Sequence, residues 1–185
     1  NPHIVRFLTS LVTGLGEDKI RVVAPEVGGG FGSKLAAYPA DFVTIFCSMK
    51  LGRPVKWTET RSENYQATTH GRDHVQHVEL AAKKDGTLTG LRCTVHAGMG
   101  AYLSTAAPGI PTIVHGLMLS GTYTLPALKE DVYGVYTNGT PVEAYRGAGR
   151  PEATFMLERM MDQLAAELGM DPVDVRRKNL IPRFE

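Results

Sequence analysis

The chain has 185 residues, of which 43% are hydrophobic and 21% charged, and its formal net charge is +1. This composition is typical of a globular protein that can bury a core. The lysines and arginines are scattered, which argues against a nucleic-acid binder, and no apolar run reaches the roughly 18 residues of a membrane span.

Helical and strand periodicities of apolar residues divide the chain into elements. They predict, in chain order, a helix over 4–15, a strand over 20–23, a helix over 39–49, a strand over 55–58, a hairpin of 75–82 with 88–97, a strand over 132–136, a helix over 151–168 and another helix beginning at Asp171. Residues 59–71 are expected to be irregular, and 98–126 to form a long connection with a helical patch. This mixture lacks a regular βαβ repeat and therefore predicts an α+β fold.

The second predicted helix carries an apolar stripe that we expect to be buried, formed by Phe42, Val43, Ile45, Phe46 and Met49. The two cysteines, Cys47 and Cys93, stand in apolar segments and are expected to be buried, reduced thiols. Two thiols are too few for an iron–sulfur cluster, which needs about four. Any such cluster must therefore belong to another chain or domain.

A glycine-rich loop over residues 28–34 lies between a predicted strand and a predicted helix. Glycines allow backbone N–H groups to approach a bulky ligand, and a helix N-terminus favours oxygen or negative charge. A dinucleotide-binding fingerprint would need glycine at Ser33, and a phosphate-binding Walker loop would also need Ser or Thr at Leu35. The loop is therefore a ligand-approach loop of another kind, or simply a flexible turn or a site of close helix–sheet packing.

An arginine–glycine turn, in which Arg146 and Arg150 flank Gly147-Ala148-Gly149, precedes the predicted helix over 151–168. Arginine is permanently charged and donates hydrogen bonds in a planar fork. Such a turn suits an oxo group, a phosphate or a carbonyl. The alternative is a capped turn with solvated arginines.

Together, the motifs Gly-Gly-Gly-Phe-Gly-x-Lys at 28–34 and Ala-Tyr-Arg-Gly-Ala-Gly-Arg at 144–150 resemble those of the molybdenum hydroxylase family. This family includes xanthine dehydrogenase, aldehyde oxidase and aerobic carbon monoxide dehydrogenase. The segments 51–57, 84–86 and 135–138 are also similar to the family. The second motif is like that of form II carbon monoxide dehydrogenase large subunits. Since the chain begins at Asn1 and ends soon after a new helix signal, we expect residues 1–185 to be an internal fragment of the molybdopterin-binding domain of a longer large subunit.

The resemblance implies that the first loop lies against the molybdenum centre, with Phe31 beside the metal's oxygen ligands. It also implies that Arg146 lies in the shell around the metal and is the residue of this segment with a catalytic part. The metal is held by the dithiolene of a pterin cofactor, so no side chain here is expected to ligate it. The implied cofactor-binding residues are Gly29, Gly30, Phe31, Gly32, Tyr145, Arg146 and Gly147.

Several positions depart from the family pattern. Purine-oxidising members have glutamate where Leu35 stands and phenylalanine where Ala148 stands, which argues against xanthine as substrate. Copper-containing carbon monoxide oxidisers have a cysteine at the position of Gly147, and glycine cannot ligate copper. Copper is therefore not expected. A small residue would be expected at Glu143, and the sequence does not explain the glutamate.

The resemblance also implies the reaction and its partners. Oxygen from water is added to the substrate at the molybdenum centre, and electrons pass to Fe–S clusters and FAD on small and medium partner subunits. The assembly would be a dimer of heterotrimers acting on a small molecule. The pterin cofactor would be of the molybdopterin type, with the cytosine dinucleotide form as one option. A cytoplasmic location is expected, with the inner face of the membrane as an alternative.

In the family a glutamate acts as general base, and its position lies downstream of residue 185. Glu26, Glu143 and Glu152 are therefore not assigned that role. His70, His74 and His77 suggest a metal site, but residues 74 and 77 of one strand point to opposite faces, so surface or hydrogen-bonded histidines are the preferred interpretation. Two other functions remain open: a hydroxylase of aldehydes or N-heterocycles, and a non-redox module that binds an anion.

Overall fold

The computed structural model describes residues 1–183. Its helices and strands are, in chain order, α1 (Pro2–Thr13), α2 (Pro39–Leu51), α3 (Arg61–Ala67), β1 (His74–Ala82), β2 (Leu88–Gly100), β3 (Leu128–Tyr136), α4 (Arg150–Leu168) and α5 (Pro172–Asn179). A short 3-10 turn covers Glu17–Lys19, and a π turn covers Ile110–Val114. The predicted α+β class is confirmed. No helix in this part of the chain is both long and apolar enough to cross a membrane.

The three strands form one sheet in the order β1-β2-β3. The predicted hairpin is confirmed: β1 and β2 are antiparallel, and Gly86 in their turn adopts a φ of +84°. The strand β3 instead lies parallel to β2, with Val132 opposite Val95. The long connection over 101–127 allows the chain to return to the N-terminal end of β2, where β3 begins.

The core lies between the inner face of β2 and helix α4. Its buried residues include Leu91, Cys93, Val95, Ala97 and Met99 from β2 and Met156, Leu157, Met161 and Ala165 from α4. Burial of each large apolar side chain contributes roughly 1.5–3 kcal/mol. Since this packing fixes the position of α4, it also fixes the turn that immediately precedes the helix.

Two predicted strands are absent. Residues 20–23 and 55–58 belong to no strand, and Val23 and Trp57 are exposed. A strand needs a neighbour for its backbone hydrogen bonds, and the described sheet offers none at these positions. Residues 20–23 and 55–58 do have the apolar, β-branched composition of strands, but composition alone does not provide a neighbouring strand to pair with.

The predicted buried stripe of the second helix is only partly present, because Phe42 and Ile45 are partly buried while the other three residues are exposed. In α2 the side chains of Val43, Phe46 and Met49 are more than half exposed, and in the facing helix α1 Leu11 and Val12 are 64% exposed. Periodicity identifies the apolar face of a helix but does not identify what covers it. Along α4, by contrast, the predicted stripe is buried or partly buried where it meets the sheet.

The segment predicted to be irregular contains helix α3. The helix begins with a capping box: the backbone N–H of Glu63 donates to the Thr60 hydroxyl, and the Glu63 carboxylate accepts the Thr60 N–H at 2.6 Å. A Thr-x-x-Glu pattern is a recognisable helix start. The polar composition of residues 59–71 concealed this helix start, and the prediction of an irregular segment was wrong there.

Candidate functional site

The glycine-rich loop and the arginine–glycine turn are in direct contact. The backbone N–H of Arg146 donates to the carbonyl oxygen of Phe31 at 2.8 Å. Gly32 adopts a φ of +100°, and a Cβ built on it would collide with the carbonyl oxygen of Ala144. Only glycine allows the two backbones to approach so closely. The two motifs therefore form one surface although they are far apart in sequence.

Two side chains project from this surface into solvent. Phe31 is 62% exposed, and the guanidinium of Arg146 lies over its ring at 5.7 Å from the centroid. Phe31 has a φ of +51°, an unfavourable conformation for a residue with a side chain. Strain of this kind is concentrated at functional sites. Together the two side chains offer an aromatic face and a permanent positive charge to a ligand.

The first loop also forms one wall of an open cleft of about 660 Å³. Gly29, Gly30 and Phe31 line the cleft together with Thr60 and Arg61 at the start of α3. Lys34 does not offer its charge freely to the cleft, because its ammonium group donates to the carbonyl oxygen of Val27 at 2.6 Å and closes the loop. The exposed glycine backbone and the cleft could accommodate a large ligand that carries oxygen acceptors.

Gly147 lies at the exposed tip of the arginine–glycine turn. Its φ is +93°, and a Cβ built on it would lie 2.6 Å from the ring of Pro151. A side chain at this position would therefore require the turn to change shape. The lack of a cysteine here is thus matched by a backbone that does not accommodate one.

Two residues that the sequence analysis did not assign hold the turn from behind. The guanidinium of Arg72 donates to the carbonyl oxygens of Tyr145 and Arg146 at 3.2 and 2.9 Å. Glu143 is only 1% exposed, and its carboxylate accepts backbone N–H groups from Ala106 and Ala144 at 2.9 and 3.0 Å. The unexplained glutamate therefore braces the connection between β2 and β3. No local sequence signal marks Arg72, because its partners lie more than 70 residues away.

The histidines occupy separate environments. On β1 the side chains of His74 and His77 point to opposite faces, as predicted, with His77 exposed and His74 half-buried. Burial lowers the pKa of His74, although the charge of Glu152 acts in the opposite direction. His115 is fully buried, and its Nδ1 lies 2.6 Å from a carboxylate oxygen of Glu130. Among residues 1–183, no three His, Cys, Asp or Glu side chains are grouped as metal ligands.

The two cysteines differ in burial. Cys93 is completely buried, and its burial raises the pKa of its thiol to about 11. Cys47 on α2 is only half-buried. The prediction of a buried thiol is therefore confirmed for Cys93 but not for Cys47. Both are free thiols.

A family model described as "Molybdopterin cofactor-binding domain" matches residues 1–180. The chain belongs to this family. It is 45% identical over 184 residues to the carbon monoxide dehydrogenase large chain of Hydrogenophaga pseudoflava, with 97% of this chain and 23% of that relative covered. The chain therefore spans about a quarter of the length of this relative.

Two solved structures have the same fold. Quinoline 2-oxidoreductase from Pseudomonas putida 86 superposes with a TM-score of 0.91 at 33% identity, covering 98% of this chain and 23% of that one. Carbon monoxide dehydrogenase from Oligotropha carboxidovorans superposes with a TM-score of 0.88 at 41% identity, covering 97% and 23%. The molybdopterin-binding fold is thus shared with relatives named for quite different substrates.

Proposed function

We propose that this chain is part of the large subunit of a molybdenum hydroxylase of the carbon monoxide dehydrogenase type. Residues 29–32 and 145–147 would hold the molybdenum cofactor. The observation that carries the proposal is the hydrogen bond from the Arg146 N–H to the Phe31 carbonyl, since it joins the two motifs into one surface. Membership of the molybdopterin cofactor-binding family supports the same assignment.

The residues present fit such a cofactor. A pterin with phosphate and oxo groups needs donors and room, and the first loop offers glycine backbone beside an open cleft. Gly29, Gly30 and Gly32 let the backbone approach the cofactor, while Tyr145 and Gly147 flank the arginine. When bound, the cofactor supplies the two-electron redox chemistry. No side chain of this segment is needed as a metal ligand.

The proposed roles of the two exposed side chains differ. Phe31 contributes an apolar face that limits water at the reacting centre. Arg146 contributes a fixed positive charge that stabilises negative charge developing there. Its position over the Phe31 ring limits the directions its guanidinium can take. The general base is proposed to be a glutamate outside these 185 residues. Glu143 and Glu152 have buried carboxylates, and Glu26 lies on an exposed segment apart from the arginine–glycine turn.

A second candidate is a hydroxylase of aldehydes or N-heterocycles. Gly147 favours it, because a copper ligand is lacking where copper-containing relatives are expected to have cysteine, and the backbone there resists a side chain. The close superposition on quinoline 2-oxidoreductase is in agreement with this alternative. A non-redox anion-binding module is less well supported, since the family match covers almost the whole chain.

The remaining assignments follow the family. We propose Fe–S and FAD partner subunits, a dimer of heterotrimers, and the cytosine dinucleotide form of the cofactor. The complex would act in the cytoplasm on a small molecule.

The experiment that tests the proposal is metal analysis of the purified full-length complex. One molybdenum per large subunit without copper supports a mononuclear hydroxylase. Turnover of carbon monoxide and of quinoline with an artificial electron acceptor then separates the two candidates. Stoichiometric copper would mean that a residue other than Gly147 binds it. A folded, mature complex without molybdenum would refute the proposal.

A further inference from the structure

Arg72 makes three contacts to Tyr145 and Arg146 at the arginine–glycine turn. Its two terminal nitrogens donate to the carbonyl oxygens of Tyr145 and Arg146, and its guanidinium stacks on the Tyr145 ring at 4.9 Å. A planar fork with several donors is suited to such simultaneous contacts, which a lysine could not reproduce. These contacts fix both the backbone and one side chain of the turn.

The backbone that presents Arg72 is itself unusual. Arg72 and Asp73 have φ values of +74° and +66°, and they are two of the four non-glycine residues with positive φ among residues 1–183. The other two, Phe31 and Ala148, belong to the two motifs of the candidate site. Unfavourable conformations persist where surrounding contacts determine them. All four such residues are therefore found in or directly behind the same site.

A buried carboxylate lies beside the guanidinium of Arg72. Glu152, on the first turn of α4, has a side chain only 8% exposed and lies 3.6 Å from an Arg72 terminal nitrogen. Neither of its carboxylate oxygens has a hydrogen-bond partner among the described residues. A buried charge requires a compensating charge nearby. Arginine is permanently charged, so Arg72 supplies the compensating positive charge beside Glu152.

We propose that Arg72 is the positioning residue of the arginine–glycine turn and that Glu152 holds it in place. In this arrangement Glu152 fixes the guanidinium of Arg72, Arg72 fixes the carbonyls of Tyr145 and Arg146, and the Arg146 side chain is thereby aimed across Phe31 at the cofactor. The inference rests on the proposed function for its effect on the cofactor. Its effect on the turn does not depend on that function.

The test uses the full-length complex with Arg72→Met, Arg72→Lys and Glu152→Gln. Arg92→Met is the matched control, because Arg92 forms an exposed ion pair with Glu79 on the same sheet. Three quantities are measured: molybdenum per large subunit, the Mo(V) electron paramagnetic resonance signal after dithionite reduction, and hydrogen exchange of peptides covering 143–150.

We expect all variants to keep wild-type molybdenum content. Arg72→Met and Glu152→Gln should exchange the amide of Arg146 about tenfold faster, since its bond to Phe31 loses support. Both should also shift the Mo(V) signal. Arg72→Lys should fail to restore either quantity, because lysine lacks the fork. The control should match the wild type in every measurement.

Three results would overturn the proposal. The first is unchanged exchange over 143–150 in Arg72→Met. The second is wild-type exchange and a wild-type Mo(V) signal in Arg72→Lys, which would mean that only the positive charge of Arg72 matters. The third is faster exchange throughout the subunit, which would make Arg72 a general structural residue. A wild-type complex without molybdenum refutes the proposed function instead, and the exchange measurement still decides whether Arg72 positions the turn.

Discussion

Arg146 donates its backbone N–H to the carbonyl of Phe31 while its own side chain lies over the Phe31 ring. The same pair of residues is thus joined twice, once through the main chain and once through a cation–π contact. The main-chain bond holds the two motifs together. The side-chain contact is exposed, so a bound ligand can change it without breaking the main-chain bond.

Arg146→Ala in the full-length protein should lower turnover far more than stability. The main-chain bond survives the substitution, and loss of an exposed side chain changes unfolding by about 0.5 kcal/mol or less. Loss of a positive charge at the reacting centre should lower kcat about a hundredfold. Steady-state kinetics and thermal denaturation check this, with the exposed Arg159→Ala as control. Equal losses of activity and stability would show that Arg146 is only structural.

Gly32→Ala should separate the two motifs. The new Cβ would collide with the Ala144 carbonyl in addition to the strain of a positive φ. Gly14→Ala is a matched control, because Gly14 has a φ of +74° and open space around its Cβ position. We expect about 1 kcal/mol loss for Gly14→Ala and roughly 3 kcal/mol for Gly32→Ala. The molybdenum content should fall in Gly32→Ala and stay unchanged in Gly14→Ala. Similar losses of unfolding free energy in the two variants would argue against the close approach of Gly32 to the Ala144 carbonyl.

Gly147→Cys should not create a copper site. The φ of +93° and the nearby Pro151 ring oppose any side chain, so the turn must distort, at about 1–3 kcal/mol. Copper analysis after reconstitution with Cu(I) measures the outcome, and Gly147→Ala separates strain from thiol chemistry. Stoichiometric copper together with carbon monoxide oxidation would contradict this expectation.

Glu143→Gly, which installs the small residue expected from the family, should destabilise the protein. The buried N–H groups of Ala106 and Ala144 would lose their acceptor, at about 1–3 kcal/mol. Thermal denaturation of the complex measures the loss, with the exposed Glu26→Gly as control. An unchanged melting temperature would mean that water replaces the carboxylate without penalty.

His74 should make the protein less stable as the pH falls below 6.5. Its pKa is lowered in the folded state, so the unfolded chain binds a proton first when the solution is acidified. The cost is absent above the ordinary pKa of 6.5 and grows below it. His74→Gln should flatten the dependence of melting temperature on pH between 6.5 and 5, whereas the exposed His77→Gln should not. Parallel curves for all three proteins would disprove this.

The sequence was informative where local signals carry the information. The hairpin turn at Gly86 and the α4 stripe are local patterns, and the structure has both where they were predicted. The two glycine-rich motifs are also local patterns, and the structure brings them into contact. What the sequence could not provide were partners. Arg72, whose acceptors lie more than 70 residues away in sequence, has no periodicity that would identify it. The buried carboxylate of Glu143 depends on a backbone N–H at Ala106.

The wrong predictions have the same origin. The residues over 20–23 and 55–58 have strand composition but no neighbouring strand, and the stripe on α2 has helical spacing but no covering layer. Periodicity reports how a segment could be buried. Whether it is buried depends on chain elsewhere.

The parallel pairing of β3 with β2 bears on the order of folding. β1 and β2 are joined by the short turn over 83–87, so their contacts close a small loop, whereas β3 can pair only after 101–127 has crossed back along the sheet. Closing the larger loop loses more chain entropy before any ladder bond forms. The hairpin of β1 and β2 should therefore form first, and β3 should pair with β2 later. Lys129 and Asp131 at the start of β3 carry exposed charges, and we expect them to discourage pairing of this late edge strand with the wrong chain.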